Sequence, residues 1–415
     1  MKTKIITAII LSTIYANVAA QQCGCTDPLA TNYDSTAVTN DGSCQYQNSS
    51  ITPQTVGQLP PTLNGTSTLI FWDGGYWSCN DHTKLMLYRL DSLTGATTDS
   101  LLVSEATPHD MEEIAQDSLY LYFGDFGNNS NTRTDLQIFR VEKTALLNGT
   151  SVIDTIFFSY PDQTDFTSSS METDFDCEAF IASGDSLYLF TKQWSSQGTV
   201  CYALPKIPGT HVAERRDSCK VQGLVTGATL FEKEHLLVLC GYSTLLQPFI
   251  YLLYDYNGSS FFSGNKRKIS INLLGSQIEA IASSNAIDYY LTNEKFTYSS
   301  ITINATMHKI DLKNYLSNYL YGESETNVSI NETTSSEVSI NIFPNPSNGL
   351  ITLNDPQKEI RKITIYDTSG KQVFNSNTEP LDNHHINISE LKKGVYFIRM
   401  ELNSRKFVKD KIVIE

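Results

Sequence analysis

Acidic side chains recur in this chain at one place in a repeating unit. Glu112 follows Asp110-Met111, Glu178 follows Asp176-Cys177 and Glu279 follows Gln277-Ile278, while Thr226-Gly227-Ala228 fills the equivalent place between the last two. A second set closes the apolar stretch that comes next in each unit: Asn80 and Asp81, then Asp125 in Gly124-Asp125-Phe126-Gly127-Asn128-Asn129, then Lys192, Tyr242 and Glu294. Carboxylates and amide carbonyls are hard oxygen ligands that suit calcium. Paired carboxylates also serve as general acid and base, in glycoside hydrolysis among other reactions. Like charges gathered closely need a bound cation, the Lys192 ammonium or protons to compensate them. The candidate catalytic groups are Glu112, Glu178, Glu279, Lys192 and His82, and the candidate calcium ligands are Glu112, Asp125, Glu178 and Glu279. Candidates for ligand contact are Asn80, Asp81, Asp125, Asn128, Asn129, Tyr242 and Glu294. Asp110 and Asp176 are expected instead to bond backbone amides and tie neighbouring units together. Zinc is disfavoured, because of seven histidines only His82 and His109 lie near these groups. No Gly-x-Ser-x-Gly nucleophile element, phosphate loop or signal for an organic cofactor is present.

The elements that must position these groups are short strands. Residues 60–320 alternate apolar runs with polar turns and show no convincing amphipathic helix. Each unit has an acid-opened first strand and a second strand ending in polar groups. Third strands are expected near 85–90, 136–141, 200–204, 249–254 and 307–312, and fourth strands near 97–103, 152–160, 212–221 and 266–271. The second strands end at Asp81, Asp125, Lys192, Tyr242 and Glu294, which are 44, 67, 50 and 52 residues apart. Four strands recurring at that spacing predict an all-β fold, a β-propeller of five blades, with six as the alternative. The fifth unit lacks a fourth strand, which residues 51–57 are placed to supply. In that geometry the first strands begin, and the second strands end, at one mouth of a central channel.

The chain has 415 residues and a net charge of −15, which argues against nucleic-acid binding through neutralised phosphates. Lys2 and Lys4, the mostly apolar run Ile5 to Ile14, and Val18 and Ala20 before Gln21 read as a signal peptide over 1–20. No other segment is apolar enough to span a bilayer. Export permits disulfides among the eight cysteines: Cys25 with Cys44 would close a small loop, Cys201 with Cys219 would join neighbouring strands, and Cys240 reads as a buried thiol. Residues 21–50 form a Cys-bounded, Asp- and Asn-rich segment, 51–320 the propeller, 321–337 a polar linker and 338–415 a small β-sandwich.

Three resemblances add to this. CGCTDPLATNY…NDGSC resembles a short module of secreted Bacteroidetes proteins, with Asn40 where the module has an Asp. Its Asp27, Asp34 and Asp41 are possible calcium ligands, without the spacing of an EF-hand loop. FPNPSNG, IYDTSGKQV, GVYFIRM and KIVIE fall in order within 338–415, which resembles the type A C-terminal sorting domain of the type IX secretion system. That resemblance implies passage through the periplasm and outer membrane, handling by the secretion machinery, and a secreted or cell-surface protein. The order WSCND…DMEE…GDFGNN…DCEA…TGA…QIEA…TNE loosely resembles the esterase- and lactonase-like calcium propellers. It implies either a calcium-occupied mouth that binds an extracellular ligand or a calcium-dependent hydrolase of an ester, lactone, phosphate or glycoside.

Overall fold

The computed structural model describes residues 22–81, 84–104, 106–273, 275–321, 341–354, 360–367, 371–377, 384–402 and 407–415. The segment read as a signal peptide, most of the expected linker and His82 lie outside them. The chain forms two compact units, residues 1–322 and 323–415.

In the first unit, five four-stranded antiparallel sheets follow one another. Blade 1 is Ile70–Trp72, Gly75–Ser78, Met86–Leu90 and Thr97–Leu102, and blade 2 is Met111–Gln116, Tyr120–Asp125, Gln137–Glu142 and Ile153–Ser159. Blade 3 is Asp176–Ser183, Ser186–Lys192, Thr199–Pro205 and Glu214–Cys219, and blade 4 is Leu224–Phe231, Leu236–Tyr242, Pro248–Tyr254 and Asn265–Ile271. Blade 5 takes Ile278–Ser283, Asp288–Asn293 and Thr306–Asp311 from its own stretch, and its outer strand, Gln54–Gln58, from the N-terminal side. Its register pairs Thr306 with Gln58, so the two ends of the ring are hydrogen-bonded together. The inner strands pack side by side from blade 2 through blades 3, 4 and 5 to blade 1. The five-bladed propeller therefore stands, with the ring closed as the sequence indicated.

Sequence pattern and burial explain these strands. Leu236–Tyr242 and Pro248–Tyr254 are buried throughout and read as continuous apolar runs. In the outer strand Asn265–Ile271, burial alternates residue by residue, as one face meets the core and the other water. Two extra strands run parallel to outer ones: Gly209–Val212 beside Ile153–Ser159, and Ser49–Ile51 beside Asn265–Ile271.

Two expectations need correction. Lys313–Tyr321 is a helix. Leu312, Tyr315, Leu316, Tyr319 and Leu320 recur at helical spacing, and all five join the core between blades 4 and 5. Cys201 and Cys219 are not bonded, because the register sets Cys201 opposite Asp217 and Cys219 opposite Thr199. The Cys25–Cys44 disulfide does form, and Cys240 is a buried thiol.

The second unit pairs a three-stranded sheet (Asn341–Phe343, Leu350–Asn354, His384–Asn387) with a four-stranded one (Ile360–Tyr366, Gln372–Asn377, Gly394–Leu402, Phe407–Ile414). Ile351, Leu353 and Ile386 of the first sheet share a core with Ile363, Ile365, Ile398, Met400 and Ile412 of the second, which makes a small sandwich.

Candidate functional site

The recurring acid position has a structural cause. In blade 2 the register slips by one between Met111↔Asp125 and Glu113↔Gly124, which leaves Glu112 as the extra residue of a β-bulge. Glu178, Thr226 and Glu279 hold the same place in blades 3, 4 and 5. Blade 1 slips likewise between Ile70↔Trp77 and Thr66↔Asn80, with Thr68 at the corresponding position. A bulge bends its strand and re-aims a side chain. Five bulges around one ring therefore present Thr68, Glu112, Glu178, Thr226 and Glu279 at one level. The threonines seal: Thr68 Oγ1 accepts the Cys79 N–H at 2.9 Å, and Thr226 donates to the Ile278 carbonyl of blade 5 at 2.6 Å.

At the centre of the acids lies Lys192, the last residue of the second strand of blade 3. Its Nζ donates to both Glu178 oxygens, at 2.6 and 2.7 Å, with the two residues 4% and 6% exposed. The ammonium also sits over the faces of Trp194 and Tyr242, 4.7 and 5.2 Å from the ring centroids. Burial opposes its charge, but Glu178, Tyr242, Glu279 and Asp176 outweigh that and hold the lysine pKa well above normal. Tyr242 is fixed from the rim by Gln277, whose Nε2 donates to the phenol oxygen at 3.1 Å.

Glu279, Glu294 and Glu112 have no such lysine of their own among the described residues. Glu279 is 9% exposed and accepts no hydrogen bond among the described residues; burial raises its pKa, with Asp81 and Asp176 adding to that and Lys192 opposing. Glu294, just beyond the second strand of blade 5, is pushed up to about 8 by burial and by Glu279. Glu112 is raised by burial, then by Glu178, Asp110 and Asp176. Asp110 is pushed to about 6 by burial and the Asp176 charge, against Arg133. Asn80 and Asp81 stand on the blade 1 side, where Asn80 donates to the Thr62 carbonyl and Asp81 bears on both Glu279 and Glu294.

Other predicted residues hold the scaffold. Asp125 is fully buried; Oδ1 accepts from Arg133 Nη1 at 3.0 Å and the Asp110 amide at 2.8 Å, and Oδ2 from Gln137 at 2.8 Å. Asn128 is equally committed: its amide donates to Asp176 Oδ1 at 2.6 Å and its side-chain oxygen accepts the Arg133 amide. Asp176 thus ties blade 3 to the blade 2 loop, and its second oxygen holds Trp194 Nε1 at 2.9 Å. Asn129 is exposed and meets Ser130. The glycines of this loop answer to space rather than to unusual dihedrals. A Cβ on Gly127 would fall 2.2 Å from Glu112 Oε1 and 2.5 Å from Asp110 Oδ2, and one on Gly124 would strike the Phe126 ring. In the N-terminal segment, Asp27 accepts the hydroxyls of Tyr46 and Tyr254, and Asp34 and Asp41 hold local turns.

Glu113 closes the site from below. Fully buried, it accepts the Ile114 amide at 2.8 Å and, across the channel, the Ala228 amide of blade 4 at 3.1 Å, with the Leu69 amide of blade 1 also bearing on it. Burial raises its pKa well above the ordinary range. Glu113, Trp194, Gln277 and Thr68 were missed by spacing alone; Glu113 stands beside Glu112 in the motif, but nothing in the sequence says that the two serve different levels.

Of the four carboxylates expected to bind calcium, two have partners within the chain. Glu178 is taken by Lys192 and Asp125 by Arg133, and among the described residues no three His, Cys, Asp or Glu side chains converge to hold a metal ion.

In the second unit, Ser347 accepts and donates at the 345–350 turn, and the strands carrying IYDTSGKQV and GVYFIRM lie side by side. Residues 341–415 match the family described as the secretion system C-terminal sorting domain. This is a type IX sorting tail. The tail directs the protein through the type IX secretion system to the cell surface or the medium, and among the described residues no helix is long and apolar enough to cross a membrane. No curated protein matches the chain. Solved structures with similarity include the glutaminyl cyclase of Myxococcus xanthus, 10% identical, covering 64% of this chain and 100% of that one with a TM-score of 0.38. Putative 6-phosphogluconolactonases from Bacteroides uniformis (11% identical, 84% and 89% covered, TM-score 0.29) and Bacteroides fragilis (10%, 86% and 97%, 0.30) are similar too. At such TM-scores these likenesses say nothing about the site.

Proposed function

We propose that the propeller of this exported protein is an extracellular binding module whose acidic mouth receives a positively charged group. The observation that carries this is Glu279, nine-tenths buried without a hydrogen-bond partner among the described residues, with Glu294 and Asp81 bearing on it. Lys192 is already spent on Glu178, so Glu279 is satisfied by a proton or by an incoming cation. An ammonium or guanidinium group of a ligand fits, with Tyr242 and Trp194 as aromatic walls. Calcium is the other candidate, with Glu279 as the carboxylate that would meet it. The proposed layout is a signal peptide over 1–20, a Cys-bounded segment over 21–50, the propeller over 51–320, a linker over 321–337 and the sorting tail over 338–415.

Thermal stability of the purified protein, followed during titration with calcium and separately with alkyl ammonium and guanidinium ions, tests the reading. Saturable stabilisation that Glu279→Gln removes supports it. Equal response in wild type and Glu279→Gln counts against it.

A second reading rests on Glu294, pushed up to about 8 with Glu279 and Lys192 bearing on it, and on Asp110, pushed to about 6 with Asp176 bearing on it. Groups poised this way suit general acid–base hydrolysis of an ester, lactone, phosphate or glycoside. Turnover in a substrate panel, abolished by Glu178→Gln with the fold intact, would establish it.

A further inference from the structure

Away from the channel, the outer strand of blade 4 breaks its own pattern. In Asn265–Ile271 the inward-facing set is Asn265, Arg267, Ile269 and Ile271, so an arginine stands where alternation calls for an apolar side chain. Arg267 is 9% exposed. Its guanidinium is held between two ring faces, 4.8 Å from the centroid of Tyr46 and 4.7 Å from that of Tyr315. Tyr46 belongs to the N-terminal segment and Tyr315 to the helix Lys313–Tyr321, so three separate elements position one charge.

Stacking satisfies the faces of the guanidinium and leaves its edge. Nε and Nη1 are buried and have no acceptor among the described residues. Asp27 is the nearby acid, but Oδ1 takes the Leu29 amide at 2.9 Å and Oδ2 the hydroxyls of Tyr46 and Tyr254 at 2.7 and 2.5 Å. Ser49 Oγ is likewise buried and without a partner. Both residues line a cavity of about 460 Å³, bounded by residues 29–31 and 47–49, in which no acidic side chain takes part. That volume lies within the range of small-molecule sites, roughly 300–1,000 Å³. An unpaired buried cation is costly, and a guanidinium with free edge donors fits a planar or tetrahedral oxyanion.

We infer that this cavity is a second ligand site, which binds a small molecule through an oxyanion held by Arg267 and Ser49. The shared chemistry is the oxyanion, whether from a carboxylate or from a sulfate or phosphate group. The Tyr46–Arg267–Tyr315 sandwich pre-sets the donor, so that little side-chain freedom is lost on binding. The Cys25–Cys44 disulfide fastens the segment that forms one wall.

The test uses the full mature protein, with acetate and succinate in one arm and sulfate and phosphate in the other. Both are compared with chloride at equal ionic strength, by thermal shift and calorimetric titration. Saturable binding in either arm is expected, and the arm that saturates identifies the group. Arg267→Gln should abolish it. Ser49→Ala, which leaves the stacked arginine in place, should weaken it about tenfold, as loss of one hydrogen bond to a charged group does. Absence of saturable binding in both arms, or binding unchanged in Ser49→Ala, would overturn the assignment. Arg267 would then be a stacking brace between the N-terminal segment and the helix.

Discussion

Replacing Lys192 with methionine removes the cation at the middle of the mouth while keeping the length of its stem. The consequence can be sized from the geometry. Nζ lies 2.6 and 2.7 Å from the two Glu178 oxygens, and both residues are almost wholly buried. Taking away one member of such a pair leaves a buried charge uncompensated, at a cost of about 3–5 kcal/mol. For a unit of this size each kcal/mol moves Tm by about 2–4 °C, so Lys192→Met should melt roughly 6–20 °C below wild type. Glu178→Gln combined with Lys192→Met removes both charges and should recover most of that loss. The loss should also depend on pH. Without the lysine, burial leaves the Glu178 carboxyl titrating far above the unfolded value of 4.5. The folded state then holds a proton that the unfolded state has released, so stability present at low pH falls as pH rises through that window. Differential scanning calorimetry of wild type, both single variants and the double variant at pH 5 and pH 8 checks this. A Lys192→Met protein within about 1 kcal/mol of wild type, or a double variant no better than the worse single one, would refute the reasoning.

Glu113→Ala should cost about 2–6 kcal/mol, because the amides of Ile114 and Ala228 both lose their acceptor at about 1–3 kcal/mol each; urea unfolding measures it. Between pH 6.5 and 8 the stability of the wild-type propeller should fall, since Glu294 with a folded pKa near 8 keeps a proton that the unfolded chain has lost. Glu294→Gln should flatten that slope, and melting temperatures across the window report it. Below pH 6.5 His308, held down to about 4 by burial, acts in the opposite sense, so the slope should weaken there. Gly127→Ala places a methyl against Glu112 and Asp110 and should cost about 1–3 kcal/mol while blunting any cation response of the mouth. A chain lacking residues 341–415 should accumulate in the periplasm; its appearance at the surface or in the medium would refute the role of the tail.

Periodicity carried the architecture. A polar group closing each second strand, at intervals near fifty residues, is visible because every blade must bring that strand to the same rim, and Gln54–Gln58 could be placed by counting which blade lacked an outer strand. The helix at Lys313–Tyr321 was equally legible from Leu312, Tyr315, Leu316, Tyr319 and Leu320, but a strand-rich neighbourhood hid its different period. Within the site, Glu178 and Lys192 could be expected to meet because one opens and the other closes adjacent strands. What spacing could not convey was division of labour. Asp125 and Glu112 look alike in sequence, yet Arg133, Gln137 and the Asp110 amide consume the first, while the bulge leaves the second with no such set of donors. Thr226 could be placed by the repeat although it is no acid, but Thr68 could not, so the fifth member of that level emerges only from strand register.

Closure through Gln54–Gln58 makes the propeller answerable to its own completeness. Until the stretch around Thr306 has emerged, the N-terminal strand has nothing to pair with and the last blade keeps an open edge. Such an edge invites pairing with other chains, and contacts this distant in sequence form slowly. The sorting tail lies further along the chain than every residue needed for closure. A chain broken off early therefore lacks both its seal and its address, whereas a chain that presents the address already contains everything required to close the ring.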